Sequence, residues 1–173
     1  MPDAHLRPLE EQDLAMVRAW RNHIDVRRFM YTQHEISAEE HLRWFLGSRD
    51  DPQRHHYLFI LDGSPRGFVN LREINTAGVA DWGFYLAPDA PRGTGSALGR
   101  LALDQAFTAL GLHKLCGQAL GYNERSIRFH RRLGFREEGI LRDQHHDGVT
   151  YHPIHCFGLL HHEWEAQKGN LDP

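Results

Sequence analysis

The residues of this chain best suited to chemistry are two closely spaced glycines behind a pair of prolines, in Pro88-Asp89-Ala90-Pro91-Arg92-Gly93-Thr94-Gly95-Ser96-Ala97. Glycine tolerates positive φ and leaves the backbone bare, so successive N–H groups can converge on an anion, and a helix N-terminus adds partial positive charge. Such a turn is built to hold a phosphate. The run before it, Asp81-Trp82-Gly83-Phe84-Tyr85-Leu86, is apolar, aromatic and stopped by a proline, the pattern of a buried strand. After it, Leu98, Leu101, Ala102 and Phe107 recur at helical spacing. Strand, glycine turn and helix follow one another.

What the turn lacks narrows its ligand. A Walker A loop ends in Gly-Lys-Ser/Thr, and here Gly95 is followed by Ser96 and Ala97. A dinucleotide fingerprint places a third glycine where Leu98 stands, with an acidic residue about 20 positions on, and neither is present. The remaining pattern, Pro-x-x-x-Arg-Gly-x-Gly-x-Ala from a strand into a helix, resembles the pyrophosphate loop of the GNAT N-acetyltransferases. That loop binds coenzyme A.

Stepping outward, 173 residues suffice for one domain with a sizeable core, residues 1–173, and no Pro/Gly/Ser-rich linker divides them. There is no run of 18 apolar residues and no signal pattern at Met1-Pro2-Asp3-Ala4-His5, so a soluble, cytoplasmic protein is expected. Cys116 and Cys156 lie in apolar segments without C-x-x-C spacing, as reduced core thiols do. A net charge of −3 argues against a nucleic-acid binder, and small-molecule chemistry fits better. The 14 histidines include three adjacent pairs but no H-E-x-x-H spacing, so no metal site is expected.

The segments on either side position the turn. Leu6-Arg7-Pro8-Leu9 is an extended edge segment, and Glu11 to Asn22 carries Leu14, Val17 and Trp20 at helical spacing. Phe29, Met30 and Tyr31 place three large side chains in an aperiodic stretch, either plugging the core or lining a pocket. Ser37-Ala38-Glu39-Glu40 is a capping box opening a helix that bears His41, Trp44 and Phe45. Tyr57 to Leu61 and Gly67 to Leu71 flank Asp62-Gly63-Ser64-Pro65 as a hairpin, and the sheet continues into Val79 to Leu86. Behind the turn, Lys114 to Leu120 is a strand, Asn123 caps a helix ending at Gly134, and strands follow at Arg136 to Leu141 and Tyr151 to Leu160. The sum is an α+β fold.

A second block carries the resemblance further. Asn123-x-x-Ser126-x-x-Phe129-His130-x-x-x-Gly134-Phe135 is similar to the GNAT pattern N-x-x-[SA]-x-x-F-Y-x-x-x-G-F, one helix and one strand after the first block. The resemblance implies a central, mostly antiparallel mixed sheet whose fourth and fifth strands splay apart, flanked by helices, with acetyl-CoA in the gap as co-substrate and no metal. It implies cofactor contacts at Phe84, Leu86, Arg92, Gly93, Thr94, Gly95, Ser96, Ala97, Asn123 and Ser126. Ala90 departs from the Gln or Arg that the family prefers, and Arg92 is expected to compensate in part. His130 stands where the family often has a tyrosine that protonates the departing thiolate, and an imidazolium can do the same.

The front half, Arg21-Asn22-His23, Met30-Tyr31, Ile36-Ser37 and His41-x-x-Trp44, resembles the acceptor region of acetyltransferases acting on the 4-amino group of a UDP-linked 4-amino-4,6-dideoxy sugar on the route to pseudaminic acid. The resemblance implies that Arg21 and His41 hold the diphosphate while Met30, Tyr31 and Trp44 pack on sugar or base. His23, Glu73 or a water on Gln118 are the candidates for taking the amine proton. Two alternatives stand beside this: a ribosomal-protein or peptide N-terminal acetyltransferase, and a non-catalytic acyl-CoA binding or sensing module. No nucleic acid or membrane partner is expected, and a homo-oligomer is left open.

Overall fold

A computed structural model describes residues 2–170. One seven-stranded sheet runs through the molecule in the order β1-β2-β3-β4-β5-β7-β6. Its strands are β1 (Ala4–Pro8), β2 (Arg54–Leu61), β3 (Ser64–Glu73), β4 (Val79–Leu86), β5 (Lys114–Leu120), β6 (Arg136–His146) and β7 (Tyr151–Leu160). The helices are α1 (Leu14–Asn22), α2 (Ile24–Arg27), α3 (Ala38–Ser48), α4 (Thr94–Asp104), α5 (Glu124–Arg132) and α6 (His161–Gln167). The α+β architecture expected from the sequence is the one observed.

Period-two alternation sends each face of the sheet to a different core. Phe59, Val69, Leu71 and Trp82 pack with α4, α5 and α6 on one face. Leu58, Ile60 and Phe68 pack with Leu14, Val17 and Trp20 of α1 and Phe45 of α3 on the other. The β2–β3 hairpin turns at Asp62 and Gly63, both at positive φ (49° and 75°), the combination that matches the strand twist. Gly99 lets α4 close on α5: an added Cβ would lie 2.9 Å from both Leu133 and Phe129.

The feature that matters for function is a split. β4 and β5 are parallel neighbours only at Val79↔Lys114, Ala80↔Leu115 and Asp81↔Cys116. Beyond these, β4 keeps its pairing to β3 as far as Leu86, and β5 keeps its pairing to β7 as far as Leu120. Two half-sheets therefore diverge from a shared root.

Three local features depart from the sequence reading. α2 and α6 were not anticipated, being short, and α4 extends through a π-helical turn, Gln105–Ala109, before Gly111 at φ 62° ends it. The Ser37 hydroxyl does cap α3, accepting from Glu40 N at 3.1 Å, but the Glu40 carboxylate goes to His34 at 3.0 Å and does not return to the cap. β6 continues to His146, past an irregularity between Leu141 and His145 where Asp143 takes φ 51°.

Candidate active site

At the root of the split, three residues lock together. The Trp82 indole N–H donates to His130 Nε2 at 3.1 Å, and His130 Nδ1 lies 2.8 Å from the Ser126 carbonyl, which only an N–H can satisfy. Phe157 stacks on the ring at 4.9 Å between centroids. Gly117 is required beneath them, because a Cβ there would strike His130 and Trp82. The imidazole is 1% exposed and burial holds its pKa below the usual histidine value. It is thus a neutral Nδ1–H ring with both nitrogens engaged. As placed, its N–H goes to the Ser126 carbonyl and its Nε2 accepts from Trp82, so the expected role as proton donor would require these bonds to rearrange.

The glycine turn lies at the mouth of the split. Gly93 is the N-cap of α4 at φ 87°, ψ −13°, with open space where a Cβ would stand. Ser96 N and Ala97 N both turn to the Gly93 carbonyl, at 3.1 and 3.3 Å, whereas no backbone acceptor takes the N–H of Gly93 or Gly95. Two unengaged donors on a helix N-terminus fit a pyrophosphate. Gly95 is already inside the helix, and an added Cβ would make ordinary contacts at 3.7 Å to Leu86 and 3.8 Å to Phe129. The conformational requirement therefore belongs to Gly93. Arg92 and Ser96 are exposed beside the turn. Thr94 is turned inward, its hydroxyl donating to the Pro91 carbonyl at 2.7 Å, so its side chain shapes the loop without facing a ligand.

Phe84 and Leu86 sit on the α4–α5 face, with Phe84 5.0 Å from Phe129 between ring centroids. Ala97 packs against the same core. Asn123 and Ser126 serve α5: the Asn123 side chain accepts from Ser126 N at 3.2 Å as the helix cap.

On the opposite face the strand registers bring Asn70, Gly83, Arg72, Asp81, Cys116 and Gln118 to one floor. Asn70 lies across Gly83, where a Cβ would come within 2.5 Å of its Oδ1. Asp81 pairs with Arg72 at 2.7 Å, at the last rung before the split. Glu73 alternates to the other face and meets His55 at 3.5 Å, away from this floor.

A strap, residues 28–36, crosses above the floor. Asn22 ties its near end, accepting from Ile36 N at 2.7 Å and donating to Ile36 O at 2.8 Å. Arg21 donates to Thr32 O at 3.0 Å through Nη2, while its Nη1 is buried without a partner. At the far end the Tyr122 hydroxyl donates to Arg28 O and the Tyr31 hydroxyl to Gln118 Oε1, each at 2.7 Å. Gln33 Nε2 also donates to Met30 O within the strap. Burial pushes the Tyr31 phenol up to about 12.

Two of the residues expected to contact the acceptor, His41 and Trp44, stack on each other on α3. His41 is 6% exposed, lies flat on Trp44 at 5.0 Å, and burial lowers its pKa. Trp44 also meets His56, tilted, at 4.6 Å, and both rings take part in the packing between α3 and β2. His23 is exposed and its Nδ1 accepts from Asp25 N at 3.2 Å, capping α2. Arg21 is tied to the strap through Thr32, Met30 and Tyr31 lie on it, and Gln118 of the floor is joined to it through Tyr31. Asn22, Asn70 and Tyr122 were missed, although a lone Asn in the apolar run Phe68-Val69-Asn70-Leu71 is a visible signal.

Residues 4–136 match the acetyltransferase (GNAT) domain family. The chain belongs to that family. It is an N-acetyltransferase with acetyl-CoA as co-substrate. Among curated relatives, this GNAT enzyme is 29% identical over 172 residues to a spermidine N(1)-acetyltransferase of Escherichia coli strain K12, covering 96% of this chain and 92% of that protein. It is 28% identical over 151 residues to the acetyltransferase PseH of Campylobacter jejuni, covering 87% and 93%. The structure of spermidine N-acetyltransferase from Vibrio cholerae in complex with CoA and spermine superposes with TM-score 0.87 at 24% identity, over 94% of this chain and 98% of that one. The last likeness speaks to the fold.

Proposed function

We propose that this GNAT enzyme acetylates the 4-amino group of a UDP-4-amino-4,6-dideoxy-N-acetyl sugar by direct attack of the amine on the thioester. Bound acetyl-CoA supplies the acyl thioester; the Gly93 and Gly95 N–H groups and Arg92 would hold its pyrophosphate. The observation carrying the acceptor assignment is Arg21. It is a half-buried guanidinium at the edge of the floor, with one nitrogen already on the strap and the other without a partner. A buried donor left unpaired costs about 1–3 kcal/mol, which an anionic acceptor would recover.

The second reading is a polyamine acceptor, favoured by the likeness to the E. coli spermidine enzyme across nearly the whole chain. A polycation needs uncommitted carboxylates. Around the strap Glu35 pairs with Arg27 at 3.4 Å, Glu39 with Arg43 at 2.8 Å and Glu40 with His34 at 3.0 Å, and on the floor Asp81 pairs with Arg72. Arg21 Nη1, by contrast, is buried without a partner among the described residues, so the anionic acceptor is preferred.

The test is thiol release from acetyl-CoA against a panel of UDP-4-amino-4,6-dideoxy-N-acetyl sugars, the same sugars without the nucleotide, spermidine and a peptide N-terminus. The UDP-linked amine should exceed the free sugar in kcat/KM by at least about 10-fold, because the charge-assisted contact of Arg21, at roughly 1.5–3 kcal/mol, is lost with the diphosphate. A preference for spermidine or the peptide would replace the acceptor assignment and leave the acetyltransferase standing. Acetyl-CoA binding without thiol release to any amine would favour a sensing module. No helix among the described residues is long and apolar enough to cross a membrane; a cytoplasmic location belongs to the same proposal.

A further inference from the structure

β3 and β4 each carry a residue that a strand interior disfavours, and the register sets the two opposite one another: Asn70 of β3 against Gly83 of β4. β3 is an interior strand, held by β2 on one side and β4 on the other, where a β-branched or aromatic side chain would pack better. Gly83 stands two residues beyond Asp81, the last residue of β4 in register with β5. Trp82, between them, turns to the α4–α5 face, so Gly83 is the first residue of the free stretch of β4 that faces the floor. Having no side chain, it leaves its place to the Asn70 carboxamide: a Cβ there would stand 2.5 Å from Oδ1, 3.6 Å from Cγ and 3.8 Å from Nδ2. The carboxamide therefore lies on β4 where the split opens, on the face away from α4 and α5.

The neighbouring polar side chains of the floor are spent. Arg72 and Asp81 hold each other at 2.7 Å, and Gln118 accepts from the Tyr31 hydroxyl at 2.7 Å and turns its Nε2 to Cys156 Sγ at 3.8 Å. His56, opposite Asn70 on the β2 side, turns its ring to Ser48 and Trp44. The Asn70 carboxamide makes no hydrogen bond among the described residues, and it is half-buried. An unspent amide oxygen at the edge of the split suits one kind of visitor, a group that brings an N–H.

We propose that Asn70 Oδ1 accepts an N–H of the acceptor's amine and so aims the nitrogen lone pair at the thioester carbon. This rests on the acetyltransferase activity and not on which amine is the acceptor. Acetyl-CoA in the split meets this edge from the α4–α5 face, and an amine entering beneath the strap meets it from the floor. The lone pair and N–H bonds of an amine diverge tetrahedrally, so fixing one N–H on the floor directs the lone pair off the floor and into the split. The nitrogen then forms its bond to the thioester carbon, the C–S bond breaks, and one amine proton leaves with the thiol as CoA–SH. Asn70 neither gains nor loses a proton. It supplies position, and Gly83 supplies the room.

The experiment uses the full chain, acetyl-CoA and whichever amine of the panel above releases thiol fastest with the unaltered protein, so that a change of acceptor is told apart from a failure at Asn70. Asn70→Leu, close in size and without the oxygen, should lower kcat/KM for the amine about 10- to 100-fold. Acetyl-CoA affinity by calorimetry should hold, and the melting temperature should hold or rise, because leucine suits a strand better than asparagine. Asn70→Asp keeps the oxygen and should retain kcat/KM to within a few-fold. Gly83→Ala pushes the carboxamide off β4 without removing it; it should lower kcat/KM in the unaltered protein and cost nothing further in Asn70→Ala. Undiminished kcat/KM in Asn70→Leu would overturn the proposal. So would equal losses in Asn70→Asp and Asn70→Leu, which would give the contact to Nδ2, and so would a loss that tracks a fall in acetyl-CoA affinity and melting temperature, which is a packing role.

Discussion

Burial penalises the charged form of three histidine rings, His41, His56 and His130, and each taxes the fold when acid arrives. Burial lowers the pKa of His41 and His130 and brings His56 down to about 4. His56 donates through Nε2 to the Ser48 hydroxyl at 3.0 Å, which itself donates to Trp44 O, so Nδ1 carries no proton and has no partner. The sign follows from linkage: below the unfolded value near 6.5 the unfolded chain binds protons that the native rings refuse, so stability falls as pH falls. Between pH 6.5 and about 4 the urea midpoint should decline steadily. His56→Gln should flatten part of that decline, and an equal slope in the variant would remove His56 from the account. At His130 the same neutrality predicts that His130→Phe, which loses two buried hydrogen bonds, lowers stability by roughly 1–3 kcal/mol and leaves the pH dependence of kcat unmoved. Differential melting and a pH–rate series read the two separately.

At the scale of elements, the glycine turn and the strap make different demands. Gly93→Ala places a Cβ at φ 87° and should weaken acetyl-CoA binding in calorimetry, with about 1–2 kcal/mol lost from the fold. Gly95→Ala has room and should fold and bind as before. Asn22→Ala breaks both ties to Ile36; the acceptor KM should rise several-fold while acetyl-CoA affinity stays level, because the strap lies over the acceptor floor and not over the turn. Most elements were legible in the sequence because their signals are local: Pro88 ends β4, Asn123 caps α5, Gly111 and Gly134 stop helices at φ 62° and 90°. α2 was not legible, since four residues carry no period. The site was half legible. Arg21 and Tyr31 announced themselves by type, and the glycine turn by spacing. His41 and Trp44, three apart on a helix, read as a ligand wall, and sequence alone did not show that the fold stacks them on each other at 5.0 Å.

Across the whole molecule, β4 and β5 are the two strands that share least. Among the described residues their three rungs, extended by Gly78 O accepting from His113 N and Lys114 N, join β1-β2-β3-β4 to β5-β7-β6 through the main chain, and side chains span the seam beyond: Trp82 on His130, Tyr31 on Gln118, Tyr122 on Arg28. Sheets transmit cooperativity through their ladders, so a seam of this kind divides the protein into two units able to open at different free energies. Acetyl-CoA lying along the seam would touch both. Amide exchange in the free enzyme should therefore show the amides of β5, β6 and β7 protected to a different ceiling from those of β2, β3 and β4. With saturating acetyl-CoA the two ceilings should merge and rise together by RT ln(1 + [L]/Kd). In that sense the substrate serves this protein as the eighth strand of its own fold.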